Sequence, residues 1–242
     1  MRVLGIDTSQ PAGHVAVLTD GGLARTAALS HPSSHLVELG RAVERLLADE
    51  GIAARDLDRV ALVSGPGSFT GLRIGMAYAK GLHAGLGTEI VVMTSLELLA
   101  VQASRDDLPV APMIDARKDE VYAALYAPAV RAAGDSQEPR GVREVLAAVA
   151  ADPAAYLASL DDRRTIFVGS GAVRYKGRIE ATFGENAVFA ADADHVPSIG
   201  LLCDIARGLT PLDPGEATVL EPFYVRSSGA RLQPLRRMSA ND

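Results

Sequence analysis

With 242 residues, 48% of them hydrophobic and 22% charged, the chain can bury one large core or two smaller ones. Its formal net charge of -6 excludes a molecule whose overall field draws nucleic acid, so any RNA contact needs a local patch or a partner. A single cysteine, Cys203, excludes an internal disulfide and fits a reducing compartment.

The chain opens on RVLGID, an apolar run that ends at Asp7, too short for the core of a secretory signal, and reads as a buried strand. HVAVLT (14–19) and LARTAAL (23–29) predict two more strands around the turn Asp20-Gly21-Gly22. SSHLVELGRAVERLLADEG then places Leu36, Leu39, Val43, Leu46 and Leu47 at helical spacing, with Pro32 at the entry and Gly51 at the exit. RVALVSG (59–65) predicts a strand, residues 65–82 a loop and helix, and EIVVMT (89–94) a strand. TSLELLA opens the next helix with a Thr94–Glu97 capping box. PMIDARKDEVYAALY (112–126) reads as two strands. VREVLAAVA (142–150) reads as a helix, TIFVG (165–169) as a strand and GAVRYKGRIEATF (171–183) as a helix. AVFAA (187–191) and SIGLLCDIARGL (198–209) read as a strand and a helix. No run is long enough to span a bilayer, and a cytoplasmic protein without membrane contact is expected.

LGIDTSQPAGHVAVL and PMIDARKDEVYAALY share one pattern: an apolar strand ending in Ile-Asp, a polar turn and a second apolar strand. Asp7 and Asp115 hold the same place in each, which predicts an internal duplication. Two βββαβα-type halves, the second reduced, describe an α/β protein with the actin-like ATPase (ASKHA, RNase H-like) fold. In that fold Asp7, Thr8 and Ser9 would lie at the first phosphate loop and Asp115 at the second. They would either manage magnesium and nucleotide or cap turns as remnants. The Gly-rich adenosine loop expected near Val168–Ala172 is thin, which favours remnants. The alternative is an active ATPase or kinase using Asp7 and Asp115.

GPGSFTGLRIGMAYAKGL (65–82) resembles a phosphate loop leading into a helix, but Gly71-Leu72-Arg73 stands where a P-loop has Gly-Lys-Ser/Thr. Gly71, Gly75 and Ala79 instead form a small-residue stripe at i, i+4, i+8, with Leu72, Ile74, Met76, Tyr78 and Leu82 around the rest of the helix. Each interior glycine costs about 1 kcal/mol relative to alanine, so a close contact is expected in return. The residues alone leave packing within the chain and an interface with another chain equally open.

His31 and His35 have the spacing of paired metal ligands on a helix, but Pro32 puts His31 at or before the helix start, and no metal site is expected. Arg117, Lys118, Asp119 and Glu120 read as a charged hairpin turn, with a polar contact across the cleft between the halves left open for Arg117. Arg226, Arg231, Arg236 and Arg237 read as a solvated tail. Cys203, in IGLLCDIA, reads as a packed helix residue.

Taken in order, IDTSQPAGHVAV, HPSSHLVEL, GPGSFTGLRIG, IDARKDEVY and the closing PFYVR resemble the TsaB (YeaZ) family, over most of residues 1–126 and again near 222–226. The resemblance implies a non-catalytic dimerisation subunit of the bacterial machinery that makes N6-threonylcarbamoyladenosine next to the tRNA anticodon. It implies the catalytic homologue TsaD as partner, TsaE as a further one, a homodimer when alone, and tRNA reached through the complex. In the family the first two helices pair with their counterparts as a bundle. That assigns the interface to His35, Leu36, Leu39, Gly71, Leu72, Ile74, Gly75, Tyr78 and Ala79. No cofactor is required on this reading, and ATP or ADP with magnesium at a subunit interface stays open. The expected domains are 1–104 and 105–226, followed by a tail at 227–242; residues 127–165 carry no motif.

Overall fold

Five apolar runs in each half pair as strands, and both halves pair them in the same order. The computed structural model describes residues 1–30, 35–105, 107–129 and 141–225. The first half runs β1 (Val3–Asp7), β2 (His14–Thr19), β3 (Gly22–Ala28), α1 (His35–Asp49), β4 (Arg59–Val63), α2 (Phe69–Leu86), β5 (Glu89–Met93) and α3 (Ser95–Ala103). The second runs β6 (Val110–Arg117), β7 (Glu120–Pro128), β8 (Val142–Ala151), α4 (Pro153–Leu157), β9 (Thr165–Val168), α5 (Ser170–Arg174), α6 (Lys176–Phe183), β10 (Ala187–Phe189), α7 (Ile199–Ala206) and α8 (Pro214–Val219).

The sheets are ordered β3-β2-β1-β4-β5 and β10-β9-β6-β7-β8. In each, the first three strands form an antiparallel meander and the last two join in parallel through helical crossovers. The order repeats strand for strand, with β6 in the place of β1 and Asp115 in the place of Asp7. This is the duplicated actin-like ATPase fold.

Segment 142–150 is a correction. It forms the edge strand β8, paired with β7 from Val121↔Ala151 to Pro128↔Val142, rather than a helix. Its apolar residues satisfy helical spacing, but Val142, Val145 and Val149 also suit a strand, and the free edge of β7 supplies the partner that decides. The second half is therefore reduced in its helices: α4 has 5 residues where α1 has 15. The helix expected over 171–183 is divided into α5 and α6 at Tyr175.

The described chain forms two compact units, residues 1–95 with 198–223 and residues 96–197 with 224–225. They differ from the 1–104 and 105–226 division because three helices change sides, α3 joining the second unit and α7 and α8 the first. In unit 2, Leu96, Leu99, Ala100 and Ala103 of α3 share a core with Val110, Ile114, Ile166 and Val168. In unit 1, α7 lies on the first sheet so closely that a Cβ at Gly5 would stand 2.5 Å from Cys203 Sγ. Arg59 ties that helix down. Its Nη1 donates to the carbonyls of Ala206 and Leu209 at the end of α7, while Nε and Nη2 donate to Glu89 Oε2 at 3.0 and 2.7 Å.

Candidate functional site

Asp7 ends β1, Thr8 and Ser9 follow it, and all three are buried, at 0, 0 and 2% exposure. The loop is closed by its own bonds and by α2. The Ser9 amide donates to Asp7 Oδ1 at 2.8 Å, Thr8 Oγ1 donates to the Gly71 carbonyl at 2.7 Å, and the Ser68 amide donates to the Ser9 carbonyl at 2.7 Å. Ser68 caps α2, its hydroxyl accepting from the Gly71 amide at 3.2 Å.

The glycines make this contact possible. A Cβ at Gly71 would overlap the Thr8 carbonyl oxygen. One at Gly67 would stand 2.8 Å from Ser9 Cβ, and one at Gly75 would press on Thr8 Oγ1 with Ile6 Cγ2 at 3.3 Å. The start of α2 thus covers the loop that a phosphate would need, and residues 7–9 form no open anion cradle.

The residues expected at the interface differ in their exposure. Gly71, Leu72, Gly75 and Ala79 are buried inside unit 1, and Leu39 lies in the same core at 1% exposure. Ile74 and Tyr78 are half-buried against that core, and burial beside Glu44 raises the Tyr78 pKa. Of the assigned residues Leu36 stands out into solvent, at 74%. The His35 side chain lies outside the described residues, as do His31, Arg226, Arg231, Arg236 and Arg237.

The outward face of α2 went unread in the sequence. Arg73, Ala77, Gly81 and Gly85 are exposed at i, i+4, i+8 and i+12, and nothing lies within 4 Å of a Cβ at either glycine. Phe69 with the Arg73 guanidinium 3.8 Å over its ring stands at one end, and exposed Leu86 at the other. On α1, Val37 accompanies Leu36 in exposure. The signal was present as a second small-residue stripe, two residues out of phase with the first.

In unit 2, Asp115 lies near the end of β6, two residues before Arg117, and its side chain is 15% exposed. Its amide donates to Ser170 Oγ at 3.1 Å, and its Oδ1 accepts from the Arg117 amide at 3.0 Å. Arg174 Nη1 donates to Asp115 Oδ2 at 2.9 Å and Nη2 to Asp119 Oδ1 at 3.2 Å. The hydrogen bond and charge of Asp115 raise the arginine's pKa further. A guanidinium thus neutralises the carboxylate that a magnesium ion would need. Arg174 was not singled out in the sequence, because the α5–α6 corner that aims it is a tertiary feature. The segment Val168–Ala172 also packs closely: a Cβ at Gly169 would stand 2.5 Å from the Met113 carbonyl oxygen.

These residues do not fit a magnesium nucleotide within either unit. Among the described residues no group of three or more His, Cys, Asp or Glu could hold a metal ion. Cys203 is no nucleophile, since burial pushes its thiol pKa up to about 12. No helix among the described residues is long and apolar enough to cross a membrane.

The sequence profile of the TsaD family, tRNA N6-adenosine threonylcarbamoyltransferase, matches residues 30–149. The tRNA threonylcarbamoyladenosine biosynthesis protein TsaB of Bacillus subtilis (strain 168) is 32% identical over 236 residues, covering 95% of this chain and 96% of the relative. The TsaB of Haemophilus influenzae is 29% identical over 94% of each chain. The solved structure of YeaZ from Pseudomonas aeruginosa superposes with a TM-score of 0.72 at 29% identity, covering 92% of this chain and 99% of that one.

Proposed function

Because the chain belongs to the TsaB family of tRNA threonylcarbamoyladenosine biosynthesis proteins, we propose that it is a non-catalytic subunit that docks on TsaD through the outward faces of α1 and α2. The observation that carries this reading is the open stripe Arg73-Ala77-Gly81-Gly85 beside exposed Leu36 and Val37. Small residues let a second helix approach to backbone distance, and apolar neighbours supply area to bury. The TsaD profile spans α1 and α2 themselves. Homologous partners can then meet face to face in a pseudo-two-fold arrangement, and a second copy of this chain takes the same face when TsaD is absent.

The subunit contributes no reacting group. It acts by binding the active arrangement of TsaD more tightly than the inactive one, for transfer of the threonylcarbamoyl group to the tRNA adenosine beside the anticodon. TsaE joins the assembled pair, in the cytoplasm. Any ATP or ADP with magnesium that the assembly uses is held at a subunit boundary, since residues 7–9 are covered and Asp115 is ion-paired.

Ala77→Glu tests the reading. Ala77 is exposed, so the substitution changes stability by about 0.5 kcal/mol or less. It places a charge in the docking face and is expected to abolish co-elution with the chain's own TsaD in gel filtration. Co-elution that survives Ala77→Glu, or that is absent for the unsubstituted chain, overturns the proposal.

A further inference from the structure

The hairpin between β6 and β7 is built from the wrong residues for its shape. Arg117, Lys118 and Asp119 have φ of 65, 50 and 57°, three successive left-handed residues without a glycine among them. Lys118 and Asp119 occupy the two central positions of a hairpin closed by the pair Arg117↔Glu120, and both need positive φ, as in a type I′ turn. Asn-Gly is the favoured pair there. A strained conformation kept with long charged side chains points to a use for those side chains.

Arg174 joins this tip to a second basic element. It reaches back to Asp115 and Asp119, and the chain then runs Arg174-Tyr175-Lys176-Gly177-Arg178 around the α5–α6 corner. The guanidiniums of Arg174 and Arg178 lie 5.4 and 5.9 Å from the Tyr175 ring, and Lys176 Nζ lies 5.1 Å from the Phe189 ring. Lys118 is exposed, and the side chains of Arg117, Lys176 and Arg178 are 74, 58 and 58% exposed. Each has an acidic neighbour only at the outer edge of ion-pair reach: Asp115 at 3.8 Å from Arg117, Glu180 at 3.9 Å from Lys176 and Asp152 at 4.0 Å from Arg178. Such loose pairs leave the cations available to a polyanion.

We infer that the β6–β7 tip and the α5–α6 corner form a surface for the phosphodiester backbone of RNA, with Arg117, Lys118, Lys176 and Arg178 as the phosphate contacts. Arg174 positions the tip by holding Asp115 and Asp119. The surface reads charge and spacing and carries no base specificity. It is a local patch of the kind that an RNA contact made directly by a chain of net charge -6 needs. The inference rests on the proposed place of this protein in tRNA modification.

The test is titration of the chain, alone and with its TsaD, against a fluorescent unmodified tRNA transcript at 50 to 200 mM salt. Lys176→Ala with Arg178→Ala is expected to weaken binding at least tenfold at low salt and to lower the salt slope by about one unit per side chain removed. Lys118→Asn puts a residue that tolerates positive φ at the first central position and keeps the Arg174–Asp119 pair. It is expected to hold or raise the melting temperature while weakening tRNA binding and lowering the salt slope by about one unit, a combination that misfolding cannot produce. Unchanged affinity and salt slope in both variants, or no tRNA binding by the unsubstituted chain in either form, overturns the inference. Co-elution with TsaD is read on the same variants and is expected to be unaffected, so loss of the RNA surface and loss of the docking reading are separate results.

Discussion

Gly75 has no side chain, and Thr8, Ile6 and Leu62 occupy the space one would fill. Gly75→Leu drives four carbons against the β1 strand and the turn after it, neither of which can move without breaking the Thr8–Gly71 bond. The expected loss is about 3 kcal/mol or more, read as an earlier midpoint in urea unfolding. An unshifted midpoint would mean that the stripe faces solvent. The residues alone showed that close contact had to exist along α2, but not with what. Small residues stand at 71, 75 and 79 and again at 77, 81 and 85, and either stripe could meet a sheet. The choice is made by Thr8, whose hydroxyl and carbonyl lie under Gly71 and Gly75. Asp7 and Asp115 were legible as equivalents from the repeated Ile-Asp. Arg174, 59 residues from its partner Asp115, had no local signal.

Elements were legible where one period dominated. The short continuous apolar runs of β1, β2 and β4, bounded by turns, and the 3.6-residue pattern of α1 each admit one reading. β8 admits two, because Val142, Val145, Leu146 and Val149 fit a helix as well as a half-covered edge strand. Pairing with β7 overrides the alanine-rich propensity. α7 shows the opposite case, a helix whose existence was readable but whose location was not. Its C-terminal carbonyls are met by Arg59, which is 5% exposed. Arg59→Met would keep the apolar stem and strand those carbonyls. A loss of about 2–4 kcal/mol is expected in chemical denaturation, with partial recovery in Arg59→Lys. A change below about 0.5 kcal/mol in Arg59→Met would show that α7 is held by apolar packing alone.

At the scale of the molecule, the duplication could be read from the sequence and the exchange of helices could not. Composition is uniform across 95–96 and 197–198, and nothing local says that α3 belongs with the strands after it or α7 with the strands at the chain's start. A fragment of residues 1–104, the division that the motifs suggest, lacks the helix that covers Gly5 and accepts from Arg59. It is expected to show no cooperative thermal transition by circular dichroism, whereas joining 198–223 to its C-terminus through a flexible linker restores one. A cooperative transition in the bare fragment would show that the first sheet closes without α7.

The return of residues 198–223 also sets an order of events during synthesis. Residues 96–197 leave the ribosome as an uninterrupted stretch and can fold as they emerge, while the first sheet waits with one side bare until its last helix arrives. At roughly 5–20 residues per second, that wait lasts on the order of 5–20 seconds. During it the oldest part of the nascent chain is its most vulnerable, and α1 and α2 are translated long before their own support is finished.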